Sequence, residues 1–350
     1  MLNQLIARFP GICEIAGDGN IFRADIAVLS RLQAANRSSG DLVRAVYYDR
    51  NLQAKELMVA LSFPAFAPEA ASSAGHDLER DLQLLLPVFQ SQRLRTVFGP
   101  KLLARDTSQW IDAVHEIAVA STLLGFCDWG TLELEKAIPG TGNNSDTYGL
   151  RNGRPFRVDA TVIHESWPPA SPPGARVGAY TRNTMDSAEL EDLHAKNPKD
   201  TITFAQLPTD PATHMSTPLS TKVWQALQSK RRQCEQGCVN MIAIGLPRPR
   251  IDDSGTEDAV LGVLHAMVDR DTGPVTWVRH GTGPFVPVQY SADVAEWVDP
   301  FRIMSAVWLT RWNAGYPLSK VLANPNATVI LAAQDAADLG AVGTSRATWG

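Results

Sequence analysis

Residues 146–161 limit the folds open to this chain more than any other stretch, because they read as a β-hairpin with an acid on each arm. The dipeptide Asn152-Gly153 favours the positive φ angles of a tight type I′ turn, so the flanking segments are predicted to pair as antiparallel strands. A tight turn brings Asp146, at the start of the first strand, close to Asp159 on the second. The hairpin therefore predicts two carboxylates at one end of a sheet.

The second strand of this hairpin separates apolar from polar side chains, since successive side chains of a strand point to opposite faces. Alternate apolar residues form a core-like face, and Asp159 and Thr161 share the other face. Asp146, Asp159 and the backbone carbonyl of Ala160 would supply hard oxygen ligands suited to Mg²⁺ or Mn²⁺. Such an ion can polarise a phosphate and activate a water molecule. The alternative is structural, because surface hairpins commonly carry aspartates and Asp146 can simply cap a turn.

A third acid, Glu116, lies in a helix predicted between N-cap candidates at 106–108 and a stop at Gly125. The run IAVASTLLG that follows it is apolar on nearly every face, which is typical of a largely buried helix. An unpaired ionised side chain is costly in such surroundings. Glu116 is therefore expected to bind a metal, to bond to a partner such as neighbouring His115, or to lie on a hydrated stripe of the helix.

The order of the predicted elements indicates the fold class. Apolar residues spaced near i, i+3 and i+4 make residues 1–105 mainly helical. Residues 106–247 give the order α-β-β-β-α-β, which favours an α/β (or α+β) fold with a central mixed β-sheet flanked by helices. We therefore predict three parts: the helical N-terminal region, a core at 106–335 with a Pro-rich and polar insertion at about 166–217, and a tail at 336–350.

Four segments in a fixed order carry a family resemblance. They are HEIAVASTLLGF, LELEKAIPGTGNNSD, RPFRVDATVI and VWQALQSKRRQCEQGCVNMIAIGLP, and all four lie within residues 106–247. This order resembles the PD-(D/E)XK restriction-endonuclease-like superfamily. The resemblance implies a restriction-endonuclease-like core and a metal-dependent nuclease that acts on DNA.

The resemblance also implies roles for individual residues. Asp146 and Asp159 would be metal ligands, and Glu116 would bind the metal or orient the attacking water. The family's lysine usually positions the nucleophile and neutralises charge, but Thr161 occupies that position and cannot carry a positive charge. Ser145 stands where the family has proline.

Some members of the superfamily carry the lysine on the neighbouring helix instead. Lys230 would then be the catalytic lysine, with Lys222 as an alternative, and Gln233 would add a hydrogen bond. The cluster Lys230-Arg231-Arg232 can also contact phosphates, or it can be an ordinary solvated helix face. If neither lysine reaches the acids, the chain is expected to be a weak nuclease or a catalytically inactive relative that binds nucleic acid or serves in an assembly.

The composition of the chain limits which binding partners and which cellular compartment are expected. A formal net charge of -5 and a pI near 5.8 exclude a chain that is basic throughout, although a local basic groove remains compatible with nucleic-acid binding. The four cysteines are widely spread and suggest a reducing cytoplasm. The sequence has neither an apolar run near ~20 residues nor the pattern of a signal peptide, so no membrane association is expected. The N-terminal region is a candidate surface for a homo-oligomer or a protein partner.

Overall fold

The structure, a computed structural model, describes eleven stretches of the chain: residues 7–17, 20–35, 39–66, 74–163, 226–227, 229–245, 275–279, 285–289, 301–313, 316–324 and 327–347. Contacts divide the chain into two units. The first comprises Met1–Val162, Arg232–Arg250 and Ile303–Gly350, and the second comprises Ile163–Arg231 and Ile251–Arg302. The predicted insertion at about 166–217 and the alternative lysine Lys222 lie outside the described residues. The predicted domain boundaries stay a prediction.

The N-terminal part of the first unit is helical, as its periodicity predicted. It contains α1 (Pro10–Ala16), α2 (Asn20–Ala35), α3 (Ser39–Tyr48), α4 (Lys55–Phe66), α5 (Ala74–Leu85) and α6 (Ser91–Leu102). The next helix, α7 (Thr107–Leu124), begins at the predicted N-cap, where the Asp106 carboxylate accepts a hydrogen bond from Ser108 N at 2.9 Å. The core of α1–α6 extends into α7 through Trp110 and Ile117, so these helices share one apolar interior.

Buried acids from distant parts of the chain cap two of these helices. Glu79 on α5 accepts hydrogen bonds from Gly11 N at 2.7 Å and Ile12 N at 2.8 Å, at the start of α1. Asp25 on α2 accepts a hydrogen bond from Ala54 N at 2.7 Å, just before α4. The first N–H groups of a helix have no partner within the helix, so each acid satisfies donors that would otherwise be buried without one.

The rest of the first unit is built on a mixed sheet. Its strands are β1 (Glu133–Ala137), β2 (Asn144–Arg151), β3 (Arg154–Val162) and β4 (Val239–Gly245), followed later in the chain by β7 (Ala306–Asn313) and β8 (Tyr316–Ala323). The six strands are ordered β1-β2-β3-β4-β7-β8. β3, β4 and β7 are parallel, and β1, β2 and β8 pair antiparallel with their neighbours. This sheet confirms the predicted α/β class with a central mixed sheet.

The second unit contributes two further strands to the described residues, β5 (Val275–Arg279) and β6 (Phe285–Gln289), which pair antiparallel. None of the helices in the part of the chain that the structure describes is long and apolar enough to cross a membrane.

The C-terminal segment differs from the predicted tail at 336–350, because residues Ala333–Ala347 form a helix, α8. Leu339 of α8 is fully buried in the apolar cluster that also contains residues of β3 and β4. Asp335 and Asp338, in the first part of the helix, form ion pairs with Arg151 of β2. Apolar burial and these ion pairs hold the segment in a helix against the sheet.

The two faces of β3 are divided as the alternation predicted. Apolar side chains of β3 pack with Val119 and Leu123 of α7 on one face. Arg157, Asp159 and Thr161 occupy the opposite face, which we call the acid face.

Candidate functional site

Asp146 on β2 and Asp159 on β3 adjoin the last paired residues of the two strands, and hydrogen bonds link them. The register pairs Thr147 with Val158, so Asp146 and Asp159 are the next residues along the two strands. Asp146 N donates a hydrogen bond to Asp159 Oδ1 at 3.1 Å, and Ala160 N donates one to Asp146 Oδ2 at 2.8 Å. Asp159 is only 1% exposed, whereas Asp146 is half-buried. Each acid therefore bonds to the backbone of the opposite strand, and the two carboxylates are held together.

The turn of the hairpin fixes the register on which this pair depends. Asn152 and Gly153 have φ angles of 52° and 74°, as the Asn-Gly dipeptide predicted. The carboxylate of Asp128 accepts hydrogen bonds from the N–H groups of both residues, each at 3.0 Å. These two bonds lower the pKa of Asp128, because they favour its charged form. A slip by one residue would move Asp159 to the core face, so the turn is part of the site's construction.

The segment before β4 packs beside the acids. Gln233 Nε2 donates a hydrogen bond to Asn144 O at 3.2 Å, two residues before Asp146. Cys234 is buried, and its pKa is raised first by burial and then by the negative charge of Asp159. Sequence reasoning anticipated a hydrogen bond from Gln233, but it did not place Cys234 near the acids.

Arg157, two residues before Asp159, is a buried cation that the sequence did not single out. Its guanidinium donates to Ser145 Oγ at 2.6 Å, Lys136 O at 3.2 Å and Ala137 O at 3.1 Å. Nε and Nη2 both contact the Glu235 carboxylate. A guanidinium has five N–H donors, and these contacts use all of them within the protein. Arg157 thus ties β1, β2 and the segment before β4 to the strand that carries Asp159.

Asn240 on β4 completes this arrangement. It is the register partner of Arg157, and its side-chain amide donates to Glu235 O at 2.8 Å, Cys238 O at 3.2 Å and Ile303 O at 2.9 Å. Its Oδ1 accepts a hydrogen bond from Glu235 N at 2.9 Å. The loop before β4 is therefore held in place through both the side chain and the backbone of Glu235.

A second cation lies over the acid face on β1. Lys136 Nζ is 3.5 Å from the ring centroid of Tyr148, and Arg157 Cζ is 5.1 Å from the same centroid. Tyr148 is the register partner of Arg157, which places its ring on that face. Lys136 Nζ also donates a hydrogen bond to Glu133 Oε1 at 2.7 Å.

Glu116 has the partner that its surroundings required, but the partner is a lysine. Lys101 Nζ on α6 lies 2.5 Å from Glu116 Oε2, and the glutamate side chain is 14% exposed. His115, the neighbour considered from sequence, contacts Ala243 O at 3.2 Å. Across the residues that the structure describes, no three His, Cys, Asp or Glu side chains form a group that could hold a metal ion. Glu116 therefore does not join Asp146 and Asp159 as a third carboxylate of such a group here.

The remaining predicted residues are placed as follows. Thr161 is half-buried and is paired in register with Ile244. Arg232 belongs to the first unit, where its carbonyl accepts a hydrogen bond from Asn143. Lys230 and Arg231 belong to the second unit, so the proposed roles of these two residues stay predictions.

The fold and the acid pair define the class of protein as an α/β protein with two carboxylates joined across a β-hairpin. Comparison of the chain with protein-family models, curated proteins and solved structures finds no match.

Proposed function

We propose that this protein is a metal-dependent phosphodiesterase, a nuclease acting on DNA, in which Mg²⁺ or Mn²⁺ is held by Asp146 and Asp159. One observation carries the proposal: the reciprocal hydrogen bonds that hold the two carboxylates together across the hairpin. Two carboxylates in one site repel each other, and a divalent cation offsets that repulsion.

The donor set suits a hard cation. Mg²⁺ is usually bound through one or two carboxylates, with water and substrate phosphate completing its coordination, so two aspartates suffice without Glu116. Each carboxylate has about four lone-pair positions, so an oxygen that accepts a backbone hydrogen bond can also coordinate a cation. The backbone carbonyl of Ala160 is the third proposed ligand. When bound, the ion would polarise the scissile phosphate and lower the pKa of a bound water.

The chain's own residues would position the reacting groups. The buried guanidinium of Arg157 lies two residues from Asp159 and, with Glu235, fixes the segment that carries Gln233 and Cys234. Gln233 is the proposed hydrogen-bond donor beside the site, and Glu116 the proposed group that orients the attacking water. The order of α7, β1–β3 and β4 is the one that the resemblance predicts, which supports a restriction-endonuclease-like core.

A second candidate is a catalytically inactive protein of the same fold that binds nucleic acid or serves in an assembly. The observation that favours it is Thr161, because a hydroxyl on the acid face supplies no positive charge to a phosphate. It differs from the first candidate in predicting nucleic-acid binding without metal-dependent cleavage.

The test is cleavage of DNA and RNA substrates in Mg²⁺, in Mn²⁺ and in chelator. We expect cleavage of DNA that requires the divalent ion and is lost in Asp159→Asn and Asp146→Asn. Asp41→Asn, an exposed change on α3, is the matched control and retains activity. Cleavage that persists in Asp159→Asn contradicts the proposed site, and binding without any cleavage by the unchanged protein favours the second candidate.

A further inference from the structure

The acid face requires a cation that can reach a polyanionic substrate, and Arg157 cannot supply it. Its side chain is 2% exposed, and its five N–H donors are all used by the protein. Thr161, on the same face, is uncharged. The metal ion proposed at Asp146 and Asp159 would face the phosphate held there, but the next backbone phosphate of the substrate would lie beside acids and needs a positive group from elsewhere.

Lys136 meets this requirement. Its register partner is Ser145, the residue before Asp146. The ring of Tyr148 lies beneath Nζ at 3.5 Å, which holds the ammonium over the acid face. The lysine side chain remains 32% exposed, so the ammonium is accessible to a ligand.

The bonds that Lys136 already makes leave it able to bind an anion. An ammonium has three N–H donors, and one of them contacts Glu133, whose side chain is 53% exposed. Ion pairs between exposed side chains contribute little, so a phosphate can replace Glu133. Contact with the ring also restricts the long side chain before a ligand arrives, which lowers the entropy lost on binding.

We infer that Lys136 is a phosphate-binding residue of this site, and that it anchors a backbone phosphate of the nucleic acid beside the one held at the acid pair. The inference rests on the proposed function and assigns to β1 the positive charge that Thr161 lacks. When no substrate is bound, the ammonium of Lys136 donates its hydrogen bond to Glu133. Tyr148 positions Lys136 and does not itself bind the phosphate.

The experiment measures binding of fluorescently labelled duplex DNA, in chelator, at several salt concentrations between about 50 and 200 mM. Each phosphate contact contributes about 0.9 to the slope of log affinity against log salt. Lys136→Met is expected to weaken binding about threefold or more at low salt and to reduce that slope by about 0.9. Lys136→Arg keeps the charge and retains the slope. Glu133→Gln removes the competing acid and strengthens binding.

Lys320→Met is the matched control. Lys320 is an exposed lysine on β8, the opposite edge of the same sheet, about 24 Å away at roughly 4.8 Å per strand. This variant is expected to bind DNA as the unchanged protein does.

Binding by Lys136→Met with unchanged affinity and slope overturns the inference. So does equal loss in Lys136→Met and Lys136→Arg, which indicates a structural role. If the unchanged protein cleaves DNA in Mg²⁺ while Lys136→Met binds normally, only this inference fails. If the unchanged protein neither binds nor cleaves nucleic acid, the proposed function fails and the inference fails with it.

Discussion

Asp146 and Asp159 are joined through the backbone of their own hairpin, since Asp146 N donates to Asp159 Oδ1 at 3.1 Å. Asp146 in turn accepts the N–H of Ala160, the residue after Asp159. The two acids therefore keep their positions only while β2 and β3 keep their register. Perturbing the hairpin, its buried cation or its flanking loop should change the site in ways that can be measured.

The turn that sets this register should become less stable in acid. Hydrogen bonds from Asn152 and Gly153 lower the pKa of Asp128 in the folded state. Its contribution to stability is therefore present above its unfolded pKa, about 3.9, and is lost as the pH falls through the lower folded value. Asp128→Asn should be less stable than the unchanged protein at pH 7, and the difference should shrink toward pH 2. Denaturation across that range measures it, and a difference that stays constant with pH contradicts the role.

Arg157→Met should destabilise the first unit strongly. The variant leaves the carboxylate of Glu235 without its cation, and removing one member of a buried pair typically costs about 3–5 kcal/mol. Because the Glu235 side chain is 25% exposed, the lower end of that range is expected. Urea unfolding gives the value, and Glu235→Gln, which leaves the buried guanidinium without its counter-charge, should also be destabilised. A loss below about 1 kcal/mol in Arg157→Met, the size of an exposed pair, would show that the contacts do not hold the loop.

The pKa of Cys234 reports on its distance from Asp159. Burial is the main cause of its raised pKa, and the charge of Asp159 adds to it. Asp159→Asn should therefore lower the pKa of Cys234 while leaving it above the ordinary thiol value. Thiol-reagent rates measured against pH can follow the change, with Cys127, whose burial raises its pKa to about 12, as the internal control. An unchanged Cys234 profile would place the thiol away from the acid.

Lys101→Met and Glu116→Gln separate the two roles of Glu116. Removing the lysine takes away the cation that contacts a mostly buried carboxylate, which should cost about 1–3 kcal/mol in unfolding experiments. If Glu116 orients the attacking water, Glu116→Gln lowers kcat about 100-fold or more, whereas Lys101→Met lowers it far less. If the two variants have equal kcat per folded molecule, the role of Glu116 is limited to its ion pair with Lys101.

Local patterns predicted the parts of the site that lie within a few residues of one another. The Asn-Gly turn and the alternation of β3 were sufficient to place Asp146 at the same end of the sheet as Asp159 and to put Asp159 and Thr161 on one face. The apolar surroundings of Glu116 correctly required a partner, but its identity depended on how α6 packs on α7. Arg157 looked like an ordinary strand residue, because its partner Glu235 is 78 positions away. Contacts of that separation leave no local signature in one sequence.

The most direct test of the central claim is a calorimetric titration of the full chain with Mn²⁺. We expect the unchanged protein to bind the ion, Asp41→Asn to bind it equally, and Asp159→Asn to lose binding at the site. Equal Mn²⁺ affinity in the unchanged protein and in Asp159→Asn would contradict a divalent cation site at Asp146 and Asp159.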